Sequence, residues 1–191
     1  SELGKEASNV NYMPAKSEDI AAILFTSGST GAPKGAVYTH GNFFAQLSLL
    51  KKSLGIKPGD KDLSTFPLFA LFGPALVMTS VIPQMNASKP ASADPSRLTD
   101  AIKIYGCNNM FASPAVVELL GRNNEEKKLR LPEIKRVISA GAPAVPDSLA
   151  RLKRSLAADA QIFTPYGATE ALPVSIIGSD EILSETGKLT E

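Results

Sequence analysis

A run of glycines, hydroxyl residues and one lysine is the part of the sequence best suited to bind a polyphosphate. It reads Thr-Ser-Gly-Ser-Thr-Gly-Ala-Pro-Lys-Gly over residues 26–35. The glycines permit backbone conformations in which several amide groups converge on an anion, and the hydroxyls and the ammonium group of Lys34 add donors. A Walker A loop is disfavoured, because Pro33 precedes the lysine and Gly35 follows it. By composition alone, the run favours a flexible hairpin loop.

The side chains most often used for nucleophilic or metal chemistry are scarce. The 191 residues include one His and one Cys, which argues against a Cys/His zinc site and excludes an internal disulfide. His40 directly precedes a predicted helix, and we favour a structural role for it over that of a general base. Cys107 follows a predicted helix and is interpreted as a small buried apolar residue.

The elements that must position these residues alternate between short apolar runs and helices. This alternation predicts βαβ units and hence an α/β fold with a mainly parallel sheet and flanking helices. Asp94-Pro95, Ser113-Pro114 and Pro146 mark helix starts, because Asp and Ser cap helix N termini and proline suits the first turn. The helix after Pro95 is expected to reach Gly106, and an earlier helix ends at Gly55. The predicted strands cover residues 20–26, 36–39, 63–66, 109–112, 134–139, 161–164 and 174–177.

Small, polar or glycine-rich segments follow four of these strands. They are residues 26–31, 112–114, 139–143 and 164–170. In open α/β sheets, ligands bind beyond the carboxyl ends of the strands. Residues 20–26 are predicted to be a buried strand of the same sheet. We therefore expect the four segments to meet at one edge of the sheet and to form a composite site.

Charge and hydropathy exclude several functional classes. The chain has 20 Lys and Arg residues against 19 Asp and Glu, so nothing suggests nucleic acid as a partner. An apolar stretch over residues 68–82 predicts a buried core helix with its entry loop, since it is shorter than the ~20 residues that a transmembrane helix needs. Residues 121–130 are polar and are predicted to be a solvated connection. The N terminus lacks the apolar core of a signal peptide, and we expect a cytoplasmic protein.

Three motifs, taken in order, resemble the adenylate-forming superfamily of acyl-CoA synthetases, peptide-synthetase adenylation domains and luciferases. Residues 26–35 match its phosphate-binding signature almost residue for residue. Tyr-Gly-Ala-Thr-Glu at residues 166–170 matches its Tyr-Gly-x-Thr-Glu motif, and Gly-Ala-Pro at residues 141–143 resembles its adenine-facing loop. Residues 1–17 are predicted from the sequence to be a tail or linker. The resemblance implies that residues 18–191 are the central part of the large N-terminal domain, without the C-terminal domain.

The resemblance also implies a role for each motif residue. Tyr166 would stack on adenine, Thr169 would donate to the α-phosphate, and Glu170 would help hold Mg²⁺ together with phosphate oxygens. Lys34, Thr169 and Glu170 are the implied catalytic residues. The implied ATP- or AMP-binding residues are Thr26, Ser27, Gly28, Ser29, Thr30, Gly31, Lys34, Gly141, Ala142, Pro143, Tyr166, Gly167 and Thr169.

Each of these roles has a structural alternative when the residue is taken singly. Tyr166 could be a tyrosine at the edge of the core, and Glu170 and Lys34 could be solvated surface charges. The order of the three motifs favours the functional roles. One position departs from the pattern: residues 67–70 read Pro-Leu-Phe-Ala, where many acyl-activating relatives have Pro-Leu-Phe-His.

The activity implied by the resemblance is ATP-dependent activation of a carboxylic acid, in particular a fatty or 3-hydroxy fatty acid, to acyl-AMP. Thioester formation with CoA would follow. Residues 65–72 and 139–143 resemble the branch that includes olefin-pathway β-lactone synthetases and fatty-acid CoA ligases. The alternative is therefore a β-lactone synthetase, in which the substrate 3-hydroxyl attacks the acyl-AMP. A non-catalytic nucleotide-binding module is the alternative of another class.

Overall fold

The computed structural model describes residues 13–26 and 33–186, with the backbone alone for Pro67, Leu68 and Leu71. The chain divides into two compact units, residues 1–46 and 47–191. The first unit holds β1 (Ile20–Thr26), β2 (Lys34–Thr39) and the start of α1 (His40–Leu54). The second unit holds β3 (Lys61–Ser64), α2 (Pro67–Ala75), β4 (Thr79–Val81), a 3₁₀ turn (Pro90–Ser92), α3 (Pro95–Tyr105), β5 (Asn109–Ala112), α4 (Pro114–Glu126), β6 (Arg136–Ser139), α5 (Pro146–Lys153), β7 (Gln161–Ala168), β8 (Ala171–Gly178) and α6 (Ser179–Ser184).

In the first unit, β1 and β2 form an antiparallel two-stranded sheet in which Thr26 pairs with Lys34. The prediction of a strand over residues 20–26 is confirmed, but the predicted burial is wrong. Phe25 is 70% exposed and Ile20 is 64% exposed. Apolar and β-branched residues favour strands whether or not a strand is buried, so the apolar run predicted the strand correctly and its environment incorrectly.

In the second unit, six strands form a sheet in the order β4-β3-β5-β6-β7-β8. The first five strands run parallel, and β8 is antiparallel to β7. The helices α2, α4 and α5 connect neighbouring strands of this sheet, as parallel neighbours require, and α3 connects β4 with β5, which lie on either side of β3. The predicted α/β fold with a mainly parallel sheet and flanking helices is therefore confirmed.

Each face of this sheet packs into its own apolar cluster, because successive side chains of a strand point to opposite faces. Val137 of β6 belongs to the larger cluster, which includes Leu120 of α4 and Leu149 of α5. Its neighbour Ile138 belongs to the smaller cluster, which includes Phe69 of α2. Strands buried on both faces explain why β5 and β6 read as short apolar runs.

Two of the predicted helix starts are capped as the sequence indicates. Asp94 accepts a hydrogen bond from the Ser96 amide at 2.9 Å, and Ser113 accepts one from the Val116 amide at 3.4 Å. At the other end of α3, Gly106 has φ of 62°, a left-handed conformation that glycine adopts without steric cost. The helix predicted to begin at Pro146 is also present.

Two predictions about longer segments are wrong. The core helix expected over residues 68–82 ends at Ala75 and is followed by β4, because Val77 has φ of 65° and terminates the helix. The solvated connection expected over residues 121–130 is largely the second half of α4. Asn123 and Asn124 are buried there, and Asn124 Nδ2 donates to Ser155 Oγ at 3.2 Å. Polar side chains that satisfy one another can occupy a buried helix face.

None of the helices in the described ranges, 13–26 and 33–186, has the length and apolar character needed to cross a membrane.

Candidate nucleotide site

The carboxyl edge of the parallel sheet brings two of the three sequence motifs to neighbouring strands. The segment 141–143 follows β6 after one residue, and the segment 166–170 lies at the end of β7. The two strands pair in parallel as far as Ile138 and Phe163. Their carboxyl ends are adjacent, so the backbone places the predicted adenine-facing loop beside the Tyr-Gly-Ala-Thr-Glu motif.

The Tyr-Gly-Ala-Thr-Glu motif is a β-hairpin, where the sequence predicted a loop. β7 continues beyond Thr164 to Ala168 and pairs with β8, and Ala168 is opposite Ala171. Thr169 and Glu170 are thus the two turn residues. The correction has a physical reason: residues 164–168 pair with β8 alone, beyond the last parallel pair with β6, so their ladder could not be inferred from the apolar run of β7.

Gly167 is required by the close approach of the two hairpin strands. A Cβ atom at this position would lie 2.7 Å from the Ala171 carbonyl oxygen and 2.9 Å from Leu172 Cδ1. Both distances are shorter than real Cβ contacts. Because the nearer atom belongs to the backbone, no side-chain rotation relieves the overlap. The glycine thereby fixes the geometry next to Tyr166 and Thr169.

The side chains of the motif differ in exposure. Tyr166 is 72% exposed, so its ring presents an open face. Glu170 is exposed at the turn, and Thr169 is half-buried. In the predicted adenine-facing loop, residues 141–143 are all exposed, and Gly141 has φ of 100°. An open aromatic face beside an exposed loop is chemically suited to hold a flat ring.

The predicted phosphate-binding residues belong to the first unit. Thr26 ends β1 and Lys34 begins β2, and Thr26 Oγ1 donates to the Lys34 carbonyl oxygen at 3.4 Å. Ser27, Gly28, Ser29, Thr30 and Gly31 lie outside the described residues. The expectation that all four loop-bearing strands share one sheet is wrong, because β1 belongs to the two-stranded sheet. The strand β2 begins at Lys34, where a P-loop would lead into a helix.

His40 lies at the start of a helix, and the structural role expected for its side chain stays a prediction. It is the first residue of α1, and its amide donates to the Asp19 carbonyl oxygen at 3.0 Å. Thr39 and Asn42 cap the helix reciprocally: the Asn42 amide donates to Thr39 Oγ1 at 3.2 Å, and the Thr39 amide donates to Asn42 Oδ1 at 2.9 Å. This exchange satisfies two backbone donors that a helix start otherwise leaves unpaired.

Aromatic rings lie near the carboxyl edge on the sheet face that belongs to the smaller apolar cluster. Phe69 and Phe111 stack with centroids 4.2 Å apart, and Phe66 stacks on Phe111 at 5.9 Å. Thr65 Oγ1 donates to the Phe111 carbonyl oxygen at 2.7 Å and holds the end of β3 against β5. Ala70, which stands where many relatives have histidine, is the residue after Phe69 and is half-buried.

The amino edge of the sheet carries a separate polar network. Arg136 forms an ion pair with Asp60 at 3.3 Å and donates to the Gly55 carbonyl oxygen at 3.0 Å. Burial alone would raise the pKa of Asp60, but hydrogen bonds from the Lys57 amide and the Asn108 side chain, together with the Arg136 charge, lower it. The network joins β3, β5 and β6 at the end opposite the candidate site.

Asp62 of β3 is fully buried beside this network. Ser64 Oγ donates to its Oδ2 atom, and its Oδ1 atom has no hydrogen-bond partner among the described residues. Burial raises the pKa of the Asp62 carboxyl to about 6, against the opposing effects of the Ser64 hydrogen bond, a backbone hydrogen bond from Phe111 and the Arg136 charge. Burial also raises the pKa of Cys107, to about 11, which fits the predicted inert apolar role.

The fold and the glycine-containing motifs at its carboxyl edge define an α/β protein of the class that binds small molecules where parallel strands end. Comparison with protein families makes the assignment more specific. The model of the family described as "AMP-binding enzyme" matches residues 2–190. The chain belongs to this family of adenylate-forming enzymes.

Two curated relatives are similar over most of this chain. Olefin beta-lactone synthetase of Stenotrophomonas maltophilia (strain K279a) is 52% identical over 174 residues, which cover 91% of this chain and 31% of the relative. The protein of the same name from Xanthomonas campestris pv. campestris is 51% identical over 160 residues, 84% of this chain and 28% of the relative. The chain therefore spans about a third of the length of these relatives.

A solved structure supports the fold assignment. The o-succinylbenzoate coenzyme A synthetase of Bacillus subtilis, solved in complex with AMP, superimposes with a TM-score of 0.71 at 24% identity. The match covers 90% of this chain and 34% of that protein. It shows that this chain has the fold of part of an adenylate-forming enzyme.

The segment 139–143 was predicted to contribute to the composite site, but its buried hydroxyl residue, Ser139, was given no role of its own. Ser139 is the last residue of β6 and is 2% exposed, and its Oγ atom has no hydrogen-bond partner among the described residues. Serine is common at strand ends, so the sequence gives no signal that separates this residue from the rest of the loop.

Proposed function

We propose that the full-length protein uses ATP to convert a 3-hydroxy fatty acid into acyl-AMP, and that the substrate's own hydroxyl then closes a β-lactone. The observation that carries this proposal is the 52% identity to olefin beta-lactone synthetase over 91% of this chain. A β-lactone ring contains the carboxyl carbon and the oxygen on carbon 3, so a 3-hydroxy acid is its direct precursor. We assign residues 18–191 to the central part of the large N-terminal domain of that enzyme.

In the first step, a carboxylate oxygen attacks the α-phosphorus of ATP. A phosphorus–oxygen bond forms, and the bond to the β-phosphate oxygen breaks and releases pyrophosphate. Negative charge on the phosphate oxygens must be stabilised, and the protein does so mainly by positioning and fixed positive charge. We assign the β- and γ-phosphates to residues 26–31 and the Lys34 ammonium group, and the α-phosphate to the Thr169 hydroxyl.

The nucleobase is assigned to the carboxyl edge of the second unit. The open ring face of Tyr166 would support the purine, and residues 141–143 would lie along it. This assignment is supported by the adjacency of β6 and β7 and by the exposure of both segments. Gly167 has a structural role: it allows the two hairpin strands to approach closely next to Tyr166.

Glu170 suits a Mg²⁺ ion that arrives with the nucleotide. Magnesium is usually held by one or two carboxylates together with phosphate oxygens, and Glu170 is exposed at the hairpin turn. Within the described ranges, no group of three or more His, Cys, Asp or Glu residues could form a metal site alone. When bound, Mg²⁺ neutralises charge on the phosphate oxygens, and Glu170 would fix its place beside Thr169.

In the second step, the hydroxyl oxygen on carbon 3 attacks the carbonyl carbon of the acyl-AMP. The new carbon–oxygen bond closes a four-membered ring, AMP leaves with the electron pair of the acyl–phosphate bond, and the hydroxyl proton passes to solvent. No external acceptor is consumed. In the alternative reaction, the thiolate of coenzyme A attacks the same carbon and yields a thioester.

A product assay separates these reactions. Full-length protein is incubated with ATP, Mg²⁺ and a 3-hydroxy fatty acid, with and without CoA, and products are identified by mass spectrometry. We expect β-lactone, AMP and pyrophosphate without CoA. Thioester that forms only when CoA is present would replace the lactone proposal with the ligase alternative. Nucleotide binding without AMP release under either condition would favour a non-catalytic binding module.

Two substitutions test the site. Lys34→Ala and Glu170→Gln are each expected to slow acyl-AMP formation by about 10²- to 10³-fold, the typical cost of removing a group that stabilises developing charge. Lys103→Ala and Glu126→Gln are matched controls, because both side chains are exposed on helices. Equal rates in Lys34→Ala and Lys103→Ala would refute the role assigned to Lys34.

A further inference from the structure

Ser139 carries a buried hydroxyl that the reaction proposed above does not use. The residue is 2% exposed, and its Oγ atom has no partner in the part of the chain that the structure describes. Burial of an unpaired hydroxyl costs free energy, so buried polar atoms of this kind are rare and call for an explanation.

The strand register places this hydroxyl at the carboxyl edge of the sheet. Ser139 pairs with Ala112 of β5. On its other side, the last parallel pair is Ile138 with Phe163, and Ser139 and Thr164 are the next residues of the two strands. At the carboxyl edge of the sheet, Ser139 therefore lies between Ala112 of β5 and Thr164 of β7.

These residues share a sheet face with Tyr166. Side chains alternate along a strand, so Ser139 lies on the face of Val137, and Thr164 and Tyr166 lie on the face of Ile162. Val137 and Ile162 belong to the same apolar cluster. Ser139, Thr164 and Tyr166 consequently stand on one face, and Tyr166 lies one step beyond Thr164 along β7.

The loop that leaves Ser139 is built openly. Residues 141–143 are exposed, and a Cβ atom at Gly141 would meet no other atom within 4 Å. The loop ends at α5, whose N-cap residue Val145 makes no side-chain capping hydrogen bond. An unpaired hydroxyl and an uncapped helix start thus flank the same loop.

We propose that Ser139 is part of the nucleotide site and that its hydroxyl hydrogen-bonds the adenine base when the base lies between residues 141–143 and the ring of Tyr166. The inference rests on the proposed nucleotide site. A serine hydroxyl both donates and accepts, which matches adenine, whose edge carries ring-nitrogen acceptors and an amino donor. Base binding would give the Ser139 hydroxyl the partner that it lacks.

The test uses two measurements that should move in opposite directions. In full-length Ser139→Ala protein, loss of an unpaired buried hydroxyl is expected to raise the melting temperature without nucleotide. The affinity for ATP is expected to fall roughly 2- to 12-fold, the range for one hydrogen bond. The affinity for tripolyphosphate, which has no base, is expected to stay unchanged. Binding is measured by calorimetry or by competition.

Thr99→Val is the matched control. Thr99 lies in α3, is 4% exposed, and its Oγ1 atom likewise has no partner among the described residues. This variant is expected to raise the melting temperature and to leave ATP affinity unchanged.

Three results would overturn the inference. They are unchanged ATP affinity in Ser139→Ala, an equal loss of tripolyphosphate affinity, and an equal loss of ATP affinity in Thr99→Val. Each leaves the proposed reaction standing, because Lys34→Ala tests that separately. Absence of ATP binding by the unaltered protein would remove both the inference and the proposed function.

Discussion

Asp62 lies in the middle of a buried strand. Relative to the original protein, the Asp62→Asn variant is expected to become more stable as the pH rises from 4 to 7. The carboxyl is fully buried, Ser64 Oγ donates to its Oδ2 atom, and its Oδ1 atom has no hydrogen-bond partner among the described residues. Burial raises the pKa of Asp62 from 3.8 to about 6. The folded protein therefore favours the neutral carboxyl, and ionisation of this group opposes folding.

The direction of the pH dependence follows from proton binding. Between pH 4 and pH 6, the folded state holds the Asp62 proton and the unfolded state has released it, so stability falls as pH rises. At about 1.4 kcal/mol per pH unit, the interval from 3.8 to about 6 corresponds to about 3 kcal/mol. Above pH 6 the loss is complete, and below pH 4 it is absent.

The substitution replaces this pH-dependent cost with a constant one. The amide group introduced by Asp62→Asn would place a donor where Oδ1 now lies, and an unpaired buried donor costs about 1–3 kcal/mol at every pH. The informative quantity is therefore the variant's free energy of unfolding minus that of the original protein. We expect this difference to rise by about 3 kcal/mol between pH 4 and pH 7.

Denaturant unfolding of the full-length protein at several pH values measures the difference. Asp60→Asn is the control, two residues away on the chain. The pKa of Asp60 is lowered, so its carboxylate adds stability above its ordinary pKa, and that contribution is lost as pH falls. Its difference curve should slope in the opposite direction only below about pH 4, and it should be nearly flat from pH 4 to pH 7. A flat Asp62→Asn difference from pH 4 to pH 7 would refute the reasoning.

Two further predictions concern local packing. Gly167→Ala places a Cβ atom 2.7 Å from the Ala171 carbonyl oxygen. The substitution is expected to lower the free energy of unfolding by about 1–3 kcal/mol, measured by denaturant unfolding, and to weaken ATP binding, measured by calorimetry. Unchanged stability and affinity would contradict the hairpin geometry. Asp94→Ala removes the 2.9 Å hydrogen bond to the Ser96 amide and is expected to cost about 1 kcal/mol while ATP affinity stays unchanged, which the same measurements check.

The helix starts were predictable because each depends on two adjacent residues. A capping side chain followed by proline specifies a local backbone geometry whatever the rest of the chain does, and Asp94 and Ser113 cap as expected. The apolar stretch over residues 68–82 was not predictable in this way. Residues 67–82 carry no charge from α2 through β4, and the break between the two elements depends on the left-handed conformation of Val77, which the sequence does not mark.

Burial was less predictable than secondary structure, because it depends on partners that are distant in sequence. Residues 20–26 are as apolar as the core strand β6, yet Phe25 is 70% exposed. The opposite error occurred in α4, where Asn124 is buried because Ser155 supplies its partner from 31 residues away. A polar residue next to a partner of this kind looks the same in the sequence as one that faces water.

The candidate site was predictable to the extent that its parts follow strand ends, and the rest depends on register. Residues 141–143 and 166–170 are separated by a helix and a strand, and only the parallel pairing of β6 with β7 makes them neighbours. The same register sets Ser139 beside Thr164. An unpaired hydroxyl is a property of the folded arrangement, since pairing depends on which atoms surround it. For this reason the sequence could propose which loops bind a nucleotide, whereas a role for Ser139 could be inferred only from the structure.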